Sequence, residues 1–149
     1  MELSGVSHIG LCVADLARSL AFYRDLLGFE ERSRLEVQGA LASQLLQLSE
    51  VDLEAVYLQR GDFTLELLHY RSPGAVDGET PRPMNQRGLT HISLQSPDPG
   101  AALETFRAAG VAVLDPTVVS VGDVVVAFLL QDPDGQILEI TAIPGGSGD

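Results

Sequence analysis

The sequence contains no lysine and only one cysteine. Schiff-base chemistry needs a side-chain amine, so the lack of lysine excludes it except at the chain's own amino terminus. The single cysteine, Cys12, excludes an intramolecular disulfide, and the first residues lack the basic start and apolar core of a secretion signal, so we expect a cytoplasmic protein. The apolar runs are short and interrupted, whereas a membrane-spanning helix needs about 20 mostly apolar residues. No membrane partner is expected.

Positive charge is also scarce. Acidic residues outnumber basic ones by 21 to 9, and the resulting net charge of -12 opposes binding to nucleic acid or to an anionic membrane. The length of 149 residues and the hydrophobic fraction of 45% suffice for one or two compact cores. We therefore expect a small-molecule partner.

The chain contains an internal repeat. The segment around His8 resembles the segment around His91, and the same offset relates Asp15 to Asp98 and Tyr23 to Phe106. In each half a short alternating strand is followed by an Asp at the position of a helix N-cap and then by an apolar stripe with helical spacing. The predicted helices end near Gly28 and Gly110, and the stripe of the first contains Leu16, Leu20, Tyr23 and Leu27.

Each half is predicted to continue with three strands. The proposed strands are 40–49, 53–60 and 62–70 in the first half and 111–114, 123–131 and 136–143 in the second. Turns at Arg60-Gly61-Asp62 and at Asp132-Pro133-Asp134-Gly135 separate the last two strands of each half. The fold class is therefore α+β, with two βαβββ modules at 1–70 and 89–143, a linker at 71–88 and a tail at 144–149.

Strand parity places two chemically active side chains on one face of each predicted sheet, four in all. His8 and Glu66 in the first half, and His91 and Glu139 in the second, alternate with strongly apolar neighbours that need covering by a helix. Burying an unpaired carboxylate in such a strand costs several kcal/mol. An isolated His or Glu in a strand is most often structural, but its repetition in equivalent places favours ligands of one divalent metal ion.

Other polar residues are weaker candidates. His69 has the opposite parity to Glu66, so it is expected to cap the sheet or meet solvent, and Cys12 is best explained as a small packed thiol. No third inward-facing His or Tyr is evident from parity. The linker arginines could meet an anionic substrate or could simply be solvated; they are Arg71, Arg82 and Arg87.

These motifs resemble the vicinal oxygen chelate superfamily, which includes glyoxalase I, methylmalonyl-CoA epimerase, extradiol dioxygenases and bleomycin or fosfomycin resistance proteins. The similarity spans nearly the whole chain. It rests on His8-Ile9-Gly10-Leu11 with Asp15-Leu16, Phe22-Tyr23 and Leu27-Gly28-Phe29, on Leu65-Glu66-Leu67-Leu68, on Thr90-His91-Ile92, and on Asp132-Pro133-Asp134-Gly135 with Leu138-Glu139-Ile140.

The resemblance implies two modules whose curved sheets form a cup around the metal. In the glyoxalase and epimerase branch the position of Glu66 holds a ligand, which favours a lyase or isomerase that removes a proton next to a metal-bound carbonyl of a small metabolite or thioester. Glu139 is the first choice for the base and Glu66 the second. Glutathione and CoA substrates are disfavoured, because Cys12 replaces a common Arg, a Gly-His-Gly run is missing and the chain is acidic.

Two alternatives stay open at this point. One is a dioxygenase of the same superfamily that uses iron(II), and the other is a non-catalytic protein that binds an antibiotic or metabolite. The ligand set suits Zn, Ni, Co, Mn or Fe. A homodimer is expected, and the two halves could meet within one chain or be exchanged between two.

Overall fold

The computed structural model describes residues 3–78 and 82–143. The chain divides into two compact units, Met1–Gly78 and Glu79–Asp149, and each contains one mixed sheet. The predicted α+β fold of two βαβββ modules is confirmed. The predicted tail at 144–149 and residues 79–81 of the predicted linker lie outside the described residues. Within the described ranges, no helix has the length and apolar character that crossing a bilayer requires.

The first unit adds one helix to the expected order. Its sheet runs β1-β4-β3-β2, with β1 parallel to β4 and the other pairs antiparallel. The elements are β1 (Ile9–Cys12), α1 (Leu16–Leu20, continued by a π-helical segment, Ala21–Leu26), β2 (Glu30–Gln38), α2 (Ala40–Leu46), β3 (Asp52–Arg60) and β4 (Phe63–Ser72).

The strand predicted at 40–49 is wrong, because this segment forms α2. Ala42 and Leu46 are four residues apart and pack on the sheet, whereas Leu41 and Leu45 are also four apart and are exposed. This spacing is helical rather than alternating. The missing strand is β2, which is largely exposed and rich in charge, so it has no hydrophobic alternation that would reveal it.

Helix capping follows the prediction in both units. The Asp15 carboxylate accepts a 3.0 Å hydrogen bond from the Arg18 backbone N–H, and the Asp98 carboxylate accepts one of 2.9 Å from that of Ala101. Both satisfy N–H groups that the first turn of a helix leaves unpaired. The predicted apolar stripes are buried against the sheets, namely Leu16, Leu20, Tyr23, Leu27, Leu103 and Phe106.

The second unit repeats the plan with one extra short strand. Its sheet runs β5-β9-β8-β6, and β7, which was not predicted, also pairs with β8. The elements are β5 (His91–Ser96), α3 (Pro99–Ala108), β6 (Ala112–Val113), a 3-10 turn (Asp115–Thr117), β7 (Val119–Val121), β8 (Val124–Gln131) and β9 (Ile137–Ala142). The topology makes β5, β8 and β9 the equivalents of β1, β3 and β4.

Each sheet has two chemically different faces. The face beneath the long helix is apolar, and in the first unit it contains Val56, Leu58, Leu65 and Leu67, all fully buried. We call the opposite face the ligand face. By strand register it contains Gly10, Cys12, Tyr57, Glu66, Leu68 and Tyr70 in the first unit, and Ser93, Gln95, Ala127, Leu129, Glu139 and Thr141 in the second.

Candidate metal centre

His8 and Glu66 form a close pair in the first unit. His8 directly precedes β1, and Glu66 lies in the middle of β4, opposite Gly10 in register. The Nε2 atom of His8 lies 3.1 Å from Oε2 of Glu66. The Glu66 side chain is only 12% exposed, so its carboxylate sits in an environment that favours a cationic partner.

Tyr57 completes this pair and corrects the expectation that no inward-facing Tyr was evident. It lies opposite Glu66 in the β3–β4 register, and its phenol donates a hydrogen bond to the Glu66 carboxylate. This hydrogen bond, together with burial, raises the pKa of Tyr57 to about 12. The ring of His8 packs edge-on against Tyr57 with centroids 5.3 Å apart. Counting back from the predicted turn at Gly61 would have placed Tyr57 opposite Glu66.

Gly10 leaves space for the Glu66 carboxylate. A Cβ atom added at Gly10 would lie 3.2 Å from Cδ1 of Leu68 and 3.5 Å from Oε2 of Glu66. The first of these contacts is tighter than ordinary packing and the second is close to its lower limit. A small residue on β1 therefore lets the carboxylate lie against the neighbouring strand.

His91 and Glu139 form the corresponding pair in the second unit. The Nε2 atom of His91 lies 3.8 Å from Oε2 of Glu139, and both side chains are about one-third exposed, at 33% and 35%. Ser93, which faces Glu139 across the β5–β9 pairing, donates a 2.7 Å hydrogen bond to the same Oε2 atom. The Glu139 carboxylate is thus oriented by a hydroxyl but more accessible than that of Glu66.

The residue before each histidine contacts the other ring nitrogen. The Ser7 hydroxyl lies 3.0 Å from Nδ1 of His8, and the Thr90 hydroxyl lies 2.9 Å from Nδ1 of His91. A hydroxyl can donate to a bare nitrogen or accept from an N–H, so it suits either tautomer. In both units these contacts leave Nε2 as the atom that faces the carboxylate.

The His8–Glu66 pair has the spacing of two donors to one divalent ion, whereas the His91–Glu139 pair is wider, at 3.8 Å. With metal–ligand bonds of about 2.1 Å, two cis donors lie about 3.0 Å apart, close to the 3.1 Å separation in the first unit. Imidazole nitrogen together with carboxylate oxygen suits divalent transition metals. Across residues 3–78 and 82–143, however, no group of three or more His, Cys, Asp or Glu is arranged to hold a metal ion. Convergence of all four candidate ligands stays a prediction.

Cys12 and His69 lie away from these pairs. Cys12 is exposed on the ligand face. Burial of Tyr70 raises the pKa of its phenol, and negative charge at Cys12 and Glu66 raises it further. His69 lies on the helix face, as its parity predicted, and lines a cavity of about 500 Å³ together with Arg34 and Glu54. His69 lies on the opposite face of β4 from Glu66, and Cys12 pairs in register with Leu68 rather than Glu66, so neither is assigned to the predicted centre.

Two linker arginines are engaged by other groups. Arg71 forms ion pairs with Glu36 and Asp52, which raise its pKa further. Arg82 donates to the backbone carbonyls of Leu89, Gln86 and Arg87. The expectation that these side chains could meet an anionic substrate is therefore not supported for Arg71 and Arg82, whereas Arg87 is exposed.

The sequence matches the family model of the Glyoxalase/Bleomycin resistance protein/Dioxygenase superfamily over residues 5–140. The chain belongs to this superfamily, which confirms the resemblance inferred from its motifs. A comparison with curated proteins found no match.

Solved structures share the fold at low sequence identity. A glyoxalase family protein from Bacillus cereus superimposes with a TM-score of 0.81 at 15% identity, covering 95% of both chains. Glyoxalase I from Leishmania major, described as trypanothione-dependent, has a TM-score of 0.66 at 19% identity and covers 91% of this chain and 84% of its own. The fosfomycin resistance protein FosX from Listeria monocytogenes, in complex with Mn(II) and sulfate, has a TM-score of 0.62 at 20% identity over 97% and 96%.

Proposed function

We propose that this protein is a divalent-metal-dependent lyase or isomerase that removes a proton from the carbon next to a carbonyl of a small metabolite or thioester. The four ligands are His8, Glu66, His91 and Glu139, and the ion is Zn, Ni, Co, Mn or Fe. A divalent ion held there would polarise the carbonyl and stabilise the negative charge that develops as the proton leaves.

One observation carries the proposal: each unit pairs a histidine Nε2 with a glutamate Oε2, at 3.1 Å and 3.8 Å, in topologically equivalent places. A single pair of this kind is common in proteins, but two equivalent pairs would supply four protein donors to one ion. Superfamily membership and the Mn(II) complex of a structural neighbour support the same interpretation.

The different environments of the glutamates suggest different roles. Glu139 is the proposed base, because its side chain is 35% exposed and Ser93 orients it from one side only. Glu66 is the second choice, since Tyr57 and His8 both hold its nearly buried carboxylate. We therefore assign Glu66 mainly to holding the ion and Glu139 to both binding the ion and moving the proton.

The proposed centre requires both pairs to reach one ion. They would do so within one chain or between the units of two chains, and a homodimer is proposed in either case. A metal-loaded monomer in analytical ultracentrifugation would contradict the homodimer and would show that both pairs come from one chain.

The decisive experiment measures exchange of the protons next to the carbonyl of hydroxyacetone in deuterated water by NMR. Metal-loaded protein should accelerate exchange and a chelator should abolish the acceleration. Glu139→Gln should slow exchange by about 100-fold or more, because loss of a general base has effects of that order, while elemental analysis still finds metal. Glu104→Gln, a surface change on α3, is the matched control. Equal exchange in Glu139→Gln and wild type would reject the assigned base.

A second candidate is a dioxygenase that uses iron(II), which Tyr57 favours because it places a phenolic acid beside Glu66. Oxygen uptake with a catechol by the iron(II)-loaded protein, weakened in Tyr57→Phe, would support it. Exchange without oxygen uptake would favour the lyase or isomerase.

A further inference from the structure

The distribution of charge and apolar surface narrows the substrate class of the proposed centre, and the inference rests on the proposed function. We propose that the substrate is an uncharged molecule whose oxygen atoms reach the His8–Glu66 pair and whose apolar substituent, of the size of an aromatic ring, packs on the ligand face of the first unit.

The first argument is the position of the cationic side chains. The sequence has nine arginines and no lysine, and all nine arginines lie in the described part of the chain. None lies beside Leu68 and Tyr70 on the ligand face of β4 or its neighbouring strands β1 and β3. Arg32 reaches the other end of this face, where it donates a 2.8 Å hydrogen bond to Gln59. Most of the others are engaged by carboxylates or carbonyls elsewhere, namely Arg24, Arg34, Arg60, Arg71, Arg82 and Arg107.

The second argument is the charge balance of the centre itself. Two glutamates neutralise the formal charge of one divalent ion, so the complete ligand set leaves no excess positive charge for an anion. The remaining protein charge is strongly negative, at -12. An anionic group on the part of the substrate that packs beside Leu68 and Tyr70 would meet this potential without a cationic side chain from β1, β3 or β4.

The third argument is the apolar wall beside the first pair. Leu68 and Tyr70 follow Glu66 on the same face of β4, and at about 3.3 Å per residue they extend about 13 Å from it. Both pack against the cluster of Ala42, Val51 and Leu53, which α2 brings onto this face. Helix α2 therefore forms an apolar end to a surface whose other end is the polar pair.

The neighbouring strand leaves this wall partly open. Cys12 pairs with Leu68 in register and is exposed, while Leu68 and Tyr70 are only half-buried. A ring of about six carbons covering these side chains would remove apolar surface from water, which favours binding. A carboxylate on the far side of that ring would instead be desolvated beside Tyr70 without a cation.

The experiment compares four ketones by calorimetry with Zn(II)-loaded protein: hydroxyacetone, 2-hydroxyacetophenone, 4-(hydroxyacetyl)benzoate and the methyl ester of the last. Each carries the same vicinal oxygens, and the para carboxylate is too distant to bind the same ion. We expect 2-hydroxyacetophenone to bind at least about tenfold more tightly than hydroxyacetone, and the benzoate at least about tenfold more weakly than its methyl ester.

A positive charge placed beside Leu68 should reverse the preference for the methyl ester over the benzoate. Cys12→Arg should tighten binding of the benzoate by about tenfold or more, whereas Ala108→Arg, which adds the same charge at the exposed end of α3, should not. Arg87→Gln should leave all four affinities unchanged. Wild-type protein that binds the benzoate as tightly as its methyl ester would overturn the proposal. So would equal affinity for 2-hydroxyacetophenone and hydroxyacetone, or no detectable binding of any of the four probes.

Repeating the titrations with a chelator separates this inference from the proposed function. Preference for the uncharged aromatic probes that survives metal removal would support the substrate class and reject metal-dependent catalysis in favour of a binding protein. Metal-dependent proton exchange combined with preference for the benzoate would support the proposed catalysis and reject the uncharged substrate class.

Discussion

The two units hold equivalent glutamates with hydroxyl donors that come from different strands. In the first unit Tyr57, from the strand on one side of Glu66, donates to the carboxylate. In the second unit Ser93, from the strand on the other side of Glu139, does so. The comparison teaches that the repeat retains a donor beside each carboxylate, although not the residue or strand that supplies it.

The residue that faces each glutamate from the strand on its other side also differs between the units. Gly10 occupies the position that Ser93 has in the second unit, and Leu129 occupies that of Tyr57. A Cβ atom added at Gly10 would lie 3.5 Å from the Glu66 carboxylate, an ordinary contact, and 3.2 Å from Cδ1 of Leu68, a tight one. Substitutions at the equivalent positions of the two units should therefore have unequal effects.

The largest expected effect tests whether both units supply ligands at all. His8→Ala and His91→Ala should each lower metal affinity by at least about 100-fold, because each removes a direct donor, whereas loss of an outer partner costs tenfold to 100-fold. Competition with a chelating dye and elemental analysis measure the change, and His69→Ala is the control. Unchanged affinity in His91→Ala would remove the second unit from the centre.

The next effect concerns Tyr57. Tyr57→Phe should lower the free energy of unfolding by about 1–2 kcal/mol, because it removes a hydrogen bond to a nearly buried carboxylate. Urea unfolding measures it, with Tyr70→Phe as a control that removes a phenol from the same face. A smaller loss in Tyr57→Phe than in Tyr70→Phe would contradict the assigned hydrogen bond.

Removing one hydroxyl donor and adding another should test whether the arrangement around Glu66 can be changed into that around Glu139. Ser93→Ala should weaken metal binding by about tenfold, because Glu139 loses its orienting hydroxyl. In the first unit, Gly10→Ser should recover part of the stability lost in Tyr57→Phe, while Gly10→Ala, which has no donor, should not. Equal recovery by Ser and Ala would show that filling space matters more than the hydrogen bond.

The pKa of Tyr57 gives a pH dependence with a defined sign. Its pKa is raised from 10.0 to about 12, so the folded protein retains a proton that the unfolded chain loses between these values. The associated stabilisation is present below pH 10 and is lost as the pH rises through 12. Ultraviolet titration of tyrosinate should reveal this late ionisation, and Tyr57→Phe should remove it. Glu66→Gln should shift it towards lower pH.

The smallest effect is expected at the hydroxyls beside the histidines. Ser7→Ala and Thr90→Val should each weaken metal binding by about threefold, less than the tenfold typical of more buried outer partners, since water replaces the lost contact. Nitrogen chemical shifts of the imidazoles should show a changed tautomer population in each variant. Identical shifts in wild type and variants would contradict a role in orienting His8 and His91.

The sequence predicted most of the helices, strands and turns whose capping residues, apolar spacing or turn residues match the structure they adopt. The N-cap Asp residues, the helical apolar stripes and the hairpin at Gly61 are confirmed, because capping, period and turn chemistry act over a few neighbouring residues. The sequence predicts a strand at 40–49, where the structure has α2, because a short apolar run fits either a strand or a helix. The charged edge strand β2 is almost entirely exposed, so its sequence does not show the alternation of apolar and polar residues that reveals a half-buried strand.

What the sequence determined by itself is the repeat, the fold class and the identity of four candidate ligands, since strand parity depends only on residue spacing. Only the tertiary structure decided which groups surround each carboxylate. Tyr57 lies nine residues from Glu66 and Ser93 lies 46 residues from Glu139, so sheet pairing brings each donor to its acceptor. The first contact follows from the register of the local hairpin at Gly61, whereas the second depends on parallel pairing between strands far apart in sequence, which no local stretch specifies.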